Sequence, residues 1–222
     1  MTKHAFWQAL VFTLVVFIMG LLIGFFLEGY LADNIKEDLI RSEINLLDEQ
    51  LRNRAIESFD IGCGLAIDSM FNFADEIYGE ALKLEKIDKT DKFERGLLIL
   101  HKQYDLLRMM LWQESADLRN KCWEDFHTIV YFFDYGEEVD DNFELKSLQI
   151  VYSRLLGELK DNHPSDVLLI PIAANLNLSS VDLVLQKYGI EESPAILVDE
   201  NKILMGEITY SELENIVFKS NN

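Results

Sequence analysis

The chain has 222 residues, 49% of them hydrophobic, which is enough to bury a sizeable core, and its 3 Pro and 11 Gly exclude a low-complexity or disordered chain. All 39 acidic residues lie from Glu28 onward, against 19 of the 20 basic ones, so residues 28–222 carry a net charge of −20. Such a field repels phosphate backbones, which excludes nucleic acid as the main partner and docking on anionic lipid surfaces.

A short tail, residues 1–4, precedes the uncharged run AFWQALVFTLVVFIMGLLIGFFL, Ala5 to Leu27. As a helix this run is roughly 34 Å long, slightly more than a bilayer's hydrocarbon core, so it predicts one transmembrane helix over 5–27. Trp7 and Tyr30 stand near its ends, where amphipathic rings favour the headgroup layer. The run exceeds the apolar region of a signal peptide and has no clear small-x-small cleavage site before Glu28, which favours an anchor over a cleaved leader. Lys3 on one side against Lys36 and Arg41 on the other leaves the charge rule undecided. The short tail resembles that of a signal anchor, so the expectation is a single-pass cell-membrane protein with its acidic part outside the cell. Gly20 and Gly24 form a small-xxx-small pair that would let two such helices approach.

Residues 28–122 read as a helical stalk. Ile40, Ile44, Leu47 and Leu51 step at helical spacing, and Gly62 and Gly64 mark a bend. Leu65, Met70, Phe73, Ile77, Ala81 and Leu84 continue an apolar face. After EKIDKTDK, in which Asp91 followed by Glu94 resembles a cap, Phe93, Leu97, Leu100, Tyr104, Leu107 and Leu111 keep a heptad seam. The pattern predicts helices folded back as an antiparallel hairpin or coiled coil, with its acidic face either solvated or a partner surface in a homo-oligomer. Cys63 and Cys122 fall near the bend and near the end of the last helix. They meet if the hairpin folds back, and the competing reading is a pair of buried free thiols.

Residues 123–222 alternate strands and helices. HTIVYFFD, His127 to Asp134, is β-branched and aromatic as a buried strand should be. Leu145, Leu148, Val151, Tyr152, Leu155, Leu156 and Leu159 follow at helical spacing, and then VLLIPIAA forms a strand whose Pro171 belongs at an edge or a bulge. Ser179 with Asp182 opens a helix that Gly189 closes; AILVD, ENK and ILMGEI form an antiparallel hairpin; Thr209 and Glu212 make a capping box for the last helix.

This order, together with YGIEESPAILVDENKILMGEI, resembles the thioredoxin fold over about Asp125 to Phe218. The expected fold class is therefore an α/β thioredoxin-like domain with a mixed central sheet, behind a transmembrane helix and a helical stalk. In that family a cis-proline facing the active site precedes a strand, and Ser193-Pro194 takes that place here. The whole chain further resembles small archaeal membrane proteins with one span, a helical stalk and an outward thioredoxin-like domain. One departure stands out: where thioredoxins carry Cys-x-x-Cys, this chain reads DYGEEVDDNFELK, without a thiolate nucleophile.

That loop puts Asp134, Glu137, Glu138, Asp140, Asp141 and Glu144 close together in sequence. Hard cations such as calcium favour oxygen clusters of this kind, but the spacing is not that of an EF-hand, and acidic residues at a helix start also simply complement its dipole. The scattered His4, His101, His127 and His163 give no zinc pattern, and no cofactor-binding fingerprint is present. Two functions remain. One is a redox-silent module that holds a protein or an extended peptide, with Ser193, Pro194, Tyr135 and Phe143 as its surface. The other is a thiol-disulfide enzyme using Cys63 and Cys122 as its redox pair.

Overall fold

In the computed structural model the described residues are 2–88, 94–122, 126–136 and 142–219. They form α1 (Thr2–Ser58), α2 (Cys63–Asp88), α3 (Glu94–Cys122), β1 (His127–Phe133), α4 (Phe143–Asn162), β2 (Val167–Ala173), α5 (Ser179–Tyr188), β3 (Ala195–Val198), β4 (Lys202–Met205) and α6 (Tyr210–Phe218). The chain divides into two compact units, Met1–Ile44 and Asn45–Asn222.

The first unit consists of helix. The apolar run is not an element of its own there, because α1 continues beyond it through the charged sequence from Glu28 to Arg54, with no proline to stop the hydrogen-bond ladder. Trp7, Phe12 and Phe17 are more than half exposed. Among the described residues no helix is long and apolar enough to cross a membrane. This corrects the expected span at 5–27, and with it the membrane as a partner and the single-pass location. Gly20 and Gly24 have nothing within reach of an added Cβ.

The second unit is built around a four-stranded mixed sheet in the order β2-β1-β3-β4. β1 pairs parallel with β2, in register His127 with Val167, and antiparallel with β3, which pairs antiparallel with β4. β1 is buried on both faces from Thr128 to Phe132, as the apolar run from Ile129 onward leads one to expect. Val130 and Phe132 join one core with Leu107, Leu111 and Trp112 of the α2/α3 hairpin, and Ile129 and Tyr131 join another with Tyr152, Leu156 and Leu213 of α4 and α6.

The chain is thus mostly helical, with six helices among the described residues and a small mixed sheet. That corrects the expected fold class of an α/β thioredoxin-like domain behind a span and a stalk. The physical reason lies in the seam of α3: Leu97, Leu100, Leu107 and Leu111 are buried, and the last two pack against sheet residues. The seam is consumed inside the chain, which also removes the coiled coil expected from its heptads. Phe93 and Asp91 lie outside the described residues.

Side chains from the helices close the outer edge of β2. Asp105 of α3 accepts the Ala173 N–H at 3.0 Å, and Lys160 of α4 donates to the Val167 carbonyl at 2.8 Å. Pro171, between them, lacks an N–H, which is why this strand tolerates it at the edge. Cys63 and Cys122 are joined in a disulfide that ties the start of α2 to the end of α3.

Candidate functional site

The site grows from three chain turns. Gly189, with φ +67°, ends α5 in the left-handed conformation that glycine adopts without strain and releases the segment Ile190 to Pro194 toward β3. The Ser193-Pro194 peptide bond is cis. Beyond β1, the backbone of Asp134 and Tyr135 is held by two side-chain amides acting as surrogate strand partners. Gln149 Oε1 accepts the Asp134 N–H at 2.8 Å and its Nε2 donates to the Asp134 carbonyl at 3.2 Å. Asn175 treats Tyr135 in the same way, accepting its N–H and donating to its carbonyl, both at 2.8 Å. Asn142 caps α4 by accepting the Leu145 N–H at 3.1 Å.

These turns surround a hollow of about 420 Å³, lined by Asp134, Asn142, Asn175, Glu191, Glu192 and Ser193. Ser193 and Asp134, distant in sequence, are thereby brought together. Pro194 is buried behind Ser193, and Phe143, at 85% exposure, stands one residue beyond Asn142 of the lining. Tyr135 turns elsewhere: its ring lies 4.0 Å from that of His101, and it lines a second cavity. Sequence reasoning missed Asn175 and Gln149, for which the only signal was an amide side chain following a strand or facing one from a helix.

Carboxylates and amides share the lining of the hollow with Leu145, Ala174, Leu185 and Ile190, and no thiol lines it. Disulfide exchange needs a thiolate, and both cysteines of the chain are bonded to each other instead. Glu137, Glu138, Asp140 and Asp141 lie outside the described residues, which leaves Asp134 and Glu144 of the acidic loop. Among the described residues no group of three or more His, Cys, Asp or Glu is placed to hold a metal ion. Tyr131 of β1, which lines the second cavity, donates to the Gln149 carbonyl at 3.3 Å, and burial pushes its phenol up to about 12.

No family model, no curated protein and no solved structure matches the chain. The resemblances to thioredoxins and to archaeal membrane proteins therefore gain no support from known relatives.

Proposed function

We propose that the unit Asn45–Asn222 is a redox-silent interaction module that holds an extended peptide or a partner's loop in the hollow beside Ser193. The observation that carries this reading is the hollow itself, fixed in shape by the Gln149 and Asn175 amides and open beside the exposed Phe143. A pre-formed recess lowers the ordering cost of a bound segment. Phe143 offers an apolar contact of the kind that anchors interfaces.

The experiment is selection of peptides on the full chain from a displayed library, followed by titration of the selected peptide against the unaltered protein and against Ser193→Trp and Phe143→Ser. Both variants lie at exposed or half-buried positions. Each should weaken binding at least tenfold. Equal binding by all three proteins, or reduction of insulin at the rate of an ordinary thioredoxin, would end this reading.

A further inference from the structure

The second cavity is larger, about 620 Å³, within the roughly 300–1,000 Å³ of small-molecule sites, and it lies between the α2/α3 hairpin, α4 and strands β1 and β2. One wall is aliphatic, from Ile77, Ala81, Leu82 and Leu84 of α2. Tyr78 and Leu82, 65% and 42% exposed, mark its mouth. The lining also carries Arg108 and His101 of α3 with Gln149 and Ser153 of α4. Arg108 is largely buried and donates one N–H, through Nη1, to Asp105 at 2.9 Å. A guanidinium has five donors, so this bond leaves others for a ligand. Asp105 also accepts the Ala173 N–H at 3.0 Å, and burial raises its pKa while Arg108 opposes the rise.

We propose that this cavity binds an unbranched aliphatic carboxylic acid, its chain along the α2 wall and its carboxylate at Arg108 and His101. Arginine suits this task because its planar fork matches a carboxylate, and the apolar wall supplies affinity in proportion to the methylenes covered. Nothing in this assignment depends on the hollow beside Ser193, since the two recesses share no lining residue.

The test is calorimetric titration of the full chain with octanoate, decanoate, dodecanoate and 1-dodecanol, each below its aggregation concentration. Every pair of added methylenes should tighten binding by about tenfold until the cavity is full. Dodecanoate should bind at least tenfold more tightly than 1-dodecanol. Ala81→Trp, which fills the aliphatic wall, should weaken dodecanoate at least tenfold. Leu82→Glu, placed at the exposed mouth where folding is not at risk, should weaken dodecanoate more than 1-dodecanol. The inference is overturned if acid and alcohol bind alike. It is equally overturned if dodecanoate binds both variants as it binds the unaltered chain, which would place the acid on another apolar surface such as the run Leu10 to Ile23.

Discussion

Asp105 and Ala173, 68 residues apart, are joined by a 3.0 Å hydrogen bond from the Ala173 N–H to the buried Asp105 carboxylate. The same carboxylate holds Arg108, so one side chain fixes α3 to the sheet and balances a guanidinium. Asp105→Leu removes both acceptors at once and should cost about 3–5 kcal/mol, because it orphans a largely buried charge and a backbone donor. Asp105→Asn keeps an oxygen for Ala173 and should cost less than half as much. Urea denaturation midpoints measure both, and equal losses would show that charge, not the backbone bond, dominates.

A second polar cluster makes stability depend on pH. Arg52, near the end of α1, donates to Glu49 at 2.8 Å through Nε, to Ser69 of α2 at 3.2 Å, and to Glu114 of α3. Burial pushes Glu114 up to about 7, with Glu49 adding to the rise and Arg52 opposing it. A carboxyl whose pKa is higher in the folded than in the unfolded state binds more protons when folded. Its contribution is therefore fully present below the ordinary value of 4.5 and is lost as pH rises through about 7. Melting temperature should fall across that window by roughly 3 °C for each step of one in pH, since a proton held only by the folded state makes stability drop by about 1.4 kcal/mol per step. Glu114→Gln should flatten this slope; a scan series from pH 5 to 8 measures it.

Reduction should act on the whole second unit. The Cys63–Cys122 bond closes a loop with a sequence separation of 59 residues, for which the chain-entropy argument gives a stabilisation of about 4 kcal/mol. Cys63→Ser with Cys122→Ser should lower the melting temperature by roughly 10 °C. Because α2 and α3 share a core with β1, loss of helix and loss of sheet signals should coincide.

The turn between β3 and β4 predicts an effect opposite to local preference. Asp199 and Glu200 both have positive φ, +50° and +54°, where glycine is favoured. Yet Glu200 accepts the Trp112 indole N–H at 2.6 Å and pairs with Arg119, while Asp199 accepts the Thr128 N–H at 2.9 Å and bonds His127 at 2.7 Å. Glu200→Gly eases the backbone by about 1 kcal/mol but leaves the indole without its partner, so a net loss of about 1–2 kcal/mol is expected. Thermal melts decide the sign; a gain would show that the turn, not its α3 contacts, limits stability.

These contacts also show what the residues disclose before folding is known. β1 and the β3–β4 hairpin were legible because period and turn chemistry are local, and the Thr209–Glu212 capping box and the left-handed Gly189 lie where their neighbours imply. Local signals also misled. Ser179 with Asp182 reads as a cap, but the N-cap is Leu178, without a side-chain bond. The apolar run predicted a separate span, although hydropathy sets what a helix prefers around it and not where it stops. Leu107 and Leu111 carry a heptad spacing that serves a sheet equally well, and spacing alone does not name the surface opposite. The hollow was half visible. Ser193 stood out, whereas Asn175 and Gln149 matter only because the fold sets them beside the end of β1.

The closed margin of β2 has a consequence for how copies of this chain meet one another. With its end groups taken by Lys160 and Asp105, and Pro171 between them, that strand offers little for a foreign chain to zip onto. Among the described strands the other sheet edge is β4, whose Lys202 and Met205 are exposed, and a second lysine there is the simplest change to guard that edge against strand-on-strand aggregation.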